Sequence, residues 1–215
     1  GRSDTMIVLT VNPNLNSVKM LSIPRDTRTE IIGKGKDDKI NHAYAFGGVE
    51  MAMDTVENFL DIPIDYYMQV NMEGFEDIVN SVGGVTVNND LDFTVEGEHF
   101  SKGELSLNGE RALKFSRMRY EDPTGDYGRP LRQRQILQAV INKGASFSSL
   151  TKFDDIFTAL GANVKTNLKF DEMVDIQKNY KAAGKAIEQI EIKASGTKIN
   201  NIYYLIVPAE EQARV

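Results

Sequence analysis

The chain has no cysteine, only two histidines and no long apolar run. Each absence removes a class of chemistry. Without cysteine there are no disulfides, no thiolate metal sites and no thiol nucleophiles. That leaves the compartment open, since extracellular and cytosolic proteins both do without thiols. His42 and His99 show no zinc-ligand spacing. No stretch approaches the roughly 20 apolar residues of a membrane-spanning helix. Positive charge is the minority sign, with 25 Lys and Arg against 31 Asp and Glu and a net charge of -6. A nucleic-acid-binding domain is usually basic, and no helix-turn-helix pattern is visible. Neither the Gly-x-x-x-x-Gly-Lys-Ser/Thr loop nor a nucleophile elbow is present, which argues against P-loop and α/β-hydrolase chemistry.

What is there is ordinary in bulk and unusual in one place. With 215 residues and 41% hydrophobic content, the chain can bury a real core. Against the acidic background, six of the ten arginines fall between Arg111 and Arg134. Arginine is favoured over lysine where a planar fork grips phosphate oxygens in pairs. The cluster therefore points to a phosphate or pyrophosphate site.

The pattern along the chain alternates strands and helices. Residues 5–11 and 17–23 read as a hairpin through Asn12-Pro13-Asn14-Leu15-Asn16. Residues 33–39 read as a loop, 48–60 as a helix, 64–70 as a strand, and 71–82 as a helix capped by Asn71. Val85–Val87 reads as a short strand and residues 88–108 as a polar surface excursion. Residues 110–119 start helical and end extended. Pro130 fits the first turn of a helix that runs to Asn142. Helices over 150–162 and 171–186 and strands over 190–193 and 199–207 complete the pattern. The expected fold is α/β, a central mixed β-sheet flanked by helices on both faces as an α/β/α sandwich. No linker is visible, so one domain is expected over residues 1–215. The chain opens almost at once on a strand, as a fragment of something longer would, or a chain with a naturally short N-terminus.

Several residues carry the anion-site reading, each with a plainer alternative. In the helix at Pro130, the apolar stripe Ile136, Leu137, Val140 and Ile141 extends back through Gln133 to Arg129. A helix N-terminus also attracts anions. The alternative is that Arg129, Arg132 and Arg134 solvate an exposed face. Arg117 and Arg119, two apart in an extended segment, would share one face. The alternative there is a surface ladder with Glu121 and Asp122. Arg25 and Asp26 lie at a strand end, where open α/β sheets place ligands. They also read as a simple turn pair. Asp4 is either polar punctuation or a carboxylate for Mg²⁺ beside phosphate.

Taken together, these segments resemble the LytR-CpsA-Psr family. The blocks are Asp4-Thr5-Met6, Ser22-Ile23-Pro24-Arg25-Asp26-Thr27, Lys39 through Gly48, Gly83-Gly84-Val85-Thr86-Val87, Leu107 through Leu113, Arg117-Met118-Arg119, and Asp126 through Arg129 with Arg132 through Gln135. They occur in family order over about residues 1–143, and the remainder looks like the end of the same catalytic domain.

The resemblance implies an extracellular, membrane-anchored enzyme of Gram-positive bacteria, held by a single N-terminal helix upstream of this chain. It implies transfer of an anionic glycopolymer, wall teichoic acid or capsule, from a polyprenyl-pyrophosphate carrier to peptidoglycan. By motif position, Arg25, Arg117, Arg119, Arg129 and Gln133 would surround the pyrophosphate, with Arg28, Lys39 and Arg132 as lesser candidates. Asp26 would act as general base or orient Arg25. Asp4 would be one Mg²⁺ ligand, and the family's second aspartate lies upstream. Phe59, Ile78, Val79, Phe115, Ile136 and Val140 are expected either to line a cavity for the lipid tail or to be ordinary core. Two rival readings are a non-catalytic polyprenyl-phosphate binder or regulator, and a pyrophosphatase acting on the same lipid.

Overall fold

A computed structural model describes residues 3–119, 122–123, 128–146, 156, 158, 160–180 and 182–215. The chain is an α/β protein with mixed strand pairing, as the alternating pattern predicts. It folds as two compact units, one of Gly1–Thr10, Val18–Tyr67 and Glu188–Val215, the other of Val11–Ser17 and Met68–Ile187.

The first unit is built on a three-stranded sheet in the order β1 (Met6–Asn12), β2 (Ser17–Ile23), β11 (Ile187–Glu191). The middle strand β2 is buried continuously from Met20 to Ile23, the signature of a strand covered on both faces. Leu21 and Ile23 pack with Val56, Phe59 and Leu60, which share one face of α1 (His42–Leu60). The sequence places this helix from Gly48. The structure starts it at His42 and breaks it at Gly47–Gly48, where Gly48 takes φ 68°. Residues 33–39 are not simply a loop: β4 (Lys36–Lys39) pairs antiparallel with β3 (Arg28–Ile31). The expected strand over 199–207 is the second half of a hairpin, β12 (Ser195–Ile199) with β13 (Ile202–Ile206). Asn200 and Asn201 at its turn have φ 49° and 64°, left-handed values that asparagine tolerates. Thr27 bridges Leu205 in parallel, which makes the pairing mixed.

A short helix, α6 (Ala209–Arg214), was not legible in the sequence. Glu211 on it accepts from Arg214 Nε at 2.7 Å and from the Lys193 amide at 2.7 Å. Chiefly through the Arg214 hydrogen bond, its carboxyl is held down at about 2. The stabilisation is complete above the ordinary value of 4.5 and is lost as pH falls through about 2. We expect amide exchange at Lys193 to accelerate over that window, and Glu211→Gln to remove the dependence.

The second unit packs around an aromatic trio. Phe93 stacks on Phe100 at 5.2 Å, and Phe115 lies 5.8 and 5.7 Å from the two. This corrects the reading of residues 88–108 as a surface excursion. They form β7 (Phe93–Val95), β8 (Glu98–Phe100) and β9 (Gly103–Leu107), the last pairing with β6 (Val85–Asn89). The strand expected over 64–70 is only β5 (Met68–Val70), paired with β10 (Val164–Thr166). Helix α2 (Met72–Ser81) is capped by Asn71, whose side chain accepts from the Gly74 amide. Helix α3 (Gly109–Arg117) starts at a glycine because a Cβ there would meet the Glu76 carbonyl at 2.4 Å. Helix α4 (Gly128–Ser146) runs past the predicted stop at Lys143-Gly144. Helix α5 (Phe170–Tyr180) ends earlier than expected, and most of the helix expected over 150–162 lies outside the described residues. Val79, Phe115 and Ile136 are fully buried in this core with Val140 against it, while Phe59 belongs to the core of the other unit. Among the described residues these side chains are packed core, one of the two expected roles, and Ile78 is half-buried.

Candidate functional site

The expected anion-site residues divide between the two units. In the first unit, β2 ends at Ile23 and the chain turns through Pro24–Thr27. The turn is pinned from several sides. Thr27 N donates to the Pro24 carbonyl, Asn41 N to that of Arg25, and Leu205 N to that of Asp26. Arg25 and Asp26 therefore project from a fixed backbone at a strand end, as expected.

Their side chains form one charged chain. Lys39 Nζ lies 2.7 Å from Asp26 Oδ1, and Arg25 Nε lies 3.6 Å from Asp26 Oδ2. Arg25 Nη1 lies 3.5 Å from Asp4 Oδ1. Arg25 is one-third exposed and Asp4 more than two-thirds, so the guanidinium still faces solvent. Asp26, with cations on both oxygens, has the geometry of a positioning group more than of a base. Arg28 is held by Asp37 at 2.7 Å, and both Arg28 and Lys39 lie over the Tyr204 ring, at 6.0 and 5.9 Å. The structure thus brings together Asp4, Arg25, Asp26 and Lys39, with Arg28 alongside.

Sequence reasoning missed Asp37, Asp38 and Tyr204. Asp38 accepts from His42 Nδ1 at 3.0 Å and from the Lys39 amide at 2.7 Å. Burial pushes the Asp38 carboxyl up, but these hydrogen bonds outweigh it and hold it below the ordinary carboxylate value. Register over β3 and β4 could have signalled Asp37, which pairs opposite Glu30 and diagonal to Arg28. Tyr204 comes from the far end of the chain and left no local signal.

In the second unit the arginine cluster separates into distinct roles. Arg111 is bound to Glu98 at 2.8 Å and to the Ser106 carbonyl, with its guanidinium over Phe100. Arg117 closes α3 and is not in an extended segment, so the face-sharing argument for Arg117 and Arg119 does not hold. Met118 leaves the helix with its side chain in the core. Arg117 remains partly exposed, with Nη1 3.3 Å from Glu96 Oε1 and Nη2 against Met72 Sδ. Arg119, Arg129 and Gln133 are half-buried, and all three are engaged by neighbours.

Arg132 is a different case. Its side chain is 6% exposed, and Nη1 lies 2.6 Å from an Asp122 carboxylate that is itself 2% exposed. Nη2 donates to the Met118 carbonyl, and the guanidinium lies over Phe93. Asp122, expected beside Arg117 and Arg119, pairs with Arg132. The deeply buried line of α4 is Gly128, Arg132 and Ile136; of the expected stripe only Ile136 lies on it, and the other members are half-buried. Arg132 and Arg134 do not solvate a surface, because both are buried. Gly128 is fixed by this pair, since a Cβ there would meet Asp122 Oδ2 at 1.5 Å.

Among the described residues, no group of three or more His, Asp or Glu side chains could hold a metal ion. Asp4 is the exposed hard-oxygen donor beside the arginine fork.

The LytR_cpsA_psr family model matches residues 1–215. A Bacillus mycoides (strain KBAB4) protein named polyisoprenyl-teichoic acid–peptidoglycan teichoic acid transferase TagU is 61% identical over 209 residues, covering 97% of this chain and 69% of that protein. A solved structure from Enterococcus faecalis, described as a transcriptional regulator, superposes with a TM-score of 0.92 at 40% identity, covering 98% of this chain and 78% of that one. The structure of TagT bound to LIIa-WTA superposes with a TM-score of 0.87 at 34% identity, covering 99% and 81% of the two chains.

Proposed function

Since this chain belongs to the LytR-CpsA-Psr family, we propose that it is a transferase that moves anionic glycopolymer, wall teichoic acid, from a polyprenyl-pyrophosphate carrier to peptidoglycan. The observation that carries this reading is 61% identity to a TagU transferase across 97% of the chain. The arginine chemistry supports it, since exposed forks on rigid supports are what a phosphate ester needs.

In this mechanism a peptidoglycan hydroxyl attacks the phosphorus next to the glycopolymer. The new O–P bond forms as the bridging P–O bond breaks, the hydroxyl proton passes to solvent, and polyprenyl phosphate leaves. The protein contributes positioning and charge neutralisation. Arg25, held by Asp26 on one side, offers its remaining donors to phosphate oxygens. Lys39 and Arg28 add charge beside it. Arg117, Arg119, Arg129 and Gln133 are the second unit's candidates for phosphate binding. Arg132 is engaged within the core and acts on the fold.

Mg²⁺ fits this proposal through Asp4, a hard carboxylate oxygen of the kind that holds magnesium together with phosphate oxygens. When bound, it would offset negative charge on those oxygens. We expect Asp4→Ala to weaken binding of Mn²⁺, read by electron paramagnetic resonance, in the presence of a pyrophosphate ligand. Unchanged Mn²⁺ binding would remove Asp4 from the metal site. We propose that the work is done at the outer face of the cell membrane, where the peptidoglycan acceptor lies; no helix of the described residues is long and apolar enough to cross a membrane.

The test is incubation with Mg²⁺, a polyprenyl-pyrophosphate-linked teichoic-acid precursor and peptidoglycan oligomer, followed by mass spectrometry. A covalent glycopolymer–peptidoglycan product is expected. Lipid binding without product would favour the binder or regulator reading, which the description of the Enterococcus faecalis structure keeps in view. Free phosphorylated glycopolymer without an adduct would favour a pyrophosphatase.

A further inference from the structure

The tip of the β3–β4 hairpin carries an arrangement that the pyrophosphate site does not use. Lys34 Nζ lies 5.4 Å from the Phe46 ring centroid, and Lys36 Nζ lies 5.3 Å from the same centroid. Two like charges converge on one ring, and neither has an ion-pair partner among the described residues. The acids of the same strand are already taken, Asp37 by Arg28 and Asp38 by His42. Lys36 also adds to the field that lowers the Asp38 carboxyl. Phe46 is 40% exposed, and the His42 ring meets it edge-on at 6.0 Å.

The backbone is shaped to hold this group. Gly33 and Gly35 take φ 83° and 59° in the turn, closed by Lys34 N to the Ile31 carbonyl at 3.0 Å. Most L side chains are strained at such angles, and glycine is not. The break at Gly47–Gly48 ends the first segment of α1 immediately after Phe46. The hairpin base holds Arg28 opposite Lys39. Lys36 stands three residues nearer the tip than Lys39, a step of about 10 Å along a strand.

We propose that Lys34, Lys36 and Phe46 form a subsite for a phosphodiester of the anionic glycopolymer, remote from the carrier linkage. It rests on the proposed function and deepens it: the hairpin would read polymer length. The occupant follows from charge complementarity. An exposed, unpaired cation pair on an acidic protein attracts a polyanion. The ring quadrupole holds the two ammonium groups together in the free state, and a phosphate between them relieves their repulsion.

The test compares fluorescent oligo(glycerol phosphate) of one and ten repeats by polarisation, alongside transfer from carrier-linked precursors of both lengths. K34A/K36A should weaken binding of the ten-repeat chain about tenfold, with a reduced salt dependence. Binding and transfer of the one-repeat forms should stay within about twofold, and K34R/K36R should restore the long-chain affinity. Equal loss at both lengths, or no loss at either, would overturn the subsite. Anionic phospholipid vesicles form the control arm. Loss of vesicle binding with intact polymer binding would show that the tip faces lipid, which also overturns it. Absence of transfer from the one-repeat precursor by the unmutated protein would instead strike the proposed function itself.

Discussion

Replacing Arg132 with alanine is expected to lower stability by about 3–5 kcal/mol, the usual loss when one partner of a buried ion pair is removed. The Asp122 carboxylate is 2% exposed and would be left charged in the core. The Met118 carbonyl would lose its donor, and Phe93 would lose the cation above its ring. Asp122→Ala should cost a comparable amount by stranding the guanidinium. Replacing both residues together should cost less than the sum, because the two changes remove one shared ion pair. Urea unfolding monitored by circular dichroism measures all three. If Arg132→Ala kept the midpoint of the parent while losing transfer, Arg132 would belong with the phosphate-facing arginines after all.

Arg132 also shows why composition was only half a guide to the site. Arginine density between Arg111 and Arg134 reads as a pocket lining. The structure gives Arg111 to Glu98 and Arg132 to Asp122, so part of that density is internal ion pairing. Nothing local distinguishes an arginine that binds phosphate from one that closes a core. The helical stripe was incomplete for the same reason. Apolar spacing aims Arg129 and Gln133 inward, and both are half-buried, but it does not reveal that a buried acid beside Gly128 draws in Arg132 as well.

Short-range features were legible. The β1–β2 hairpin, the Asn71 cap and the strand-end placement of Arg25 and Asp26 all depend on neighbours in sequence. Residues 88–108 were misread in part because β7 and β8, at three residues each, are too short to show a period of two. Their apolar members, Phe93, Phe100, Leu105 and Leu107, are separated by polar residues and by glycine turns. Only tertiary packing against Phe115 reveals them as core.

Arg25→Ala is expected to do the reverse of Arg132→Ala, leaving the fold intact and removing transfer. The ion pairs of Arg25 are long, 3.5 Å to Asp4 and 3.6 Å to Asp26, and one-third of the side chain faces water. Such pairs contribute about 0–1 kcal/mol, so the unfolding midpoint should barely move. A fixed donor aimed at developing phosphate charge contributes far more to rate. Loss of one such group typically lowers turnover about 100- to 1000-fold, and the same is expected for Arg117→Ala in the second unit. Arg25→Lys should recover little, because an ammonium cannot reproduce the two-pronged geometry. Asp26→Asn should fall between, since Lys39 and Arg25 lose their common anchor but remain charged. Initial rates of glycopolymer transfer, read beside urea midpoints on the same preparations, separate the two kinds of arginine. Unchanged turnover in both Arg25→Ala and Arg117→Ala would remove these residues from the site. A collapse in stability would move them to the structural class that Arg132 represents.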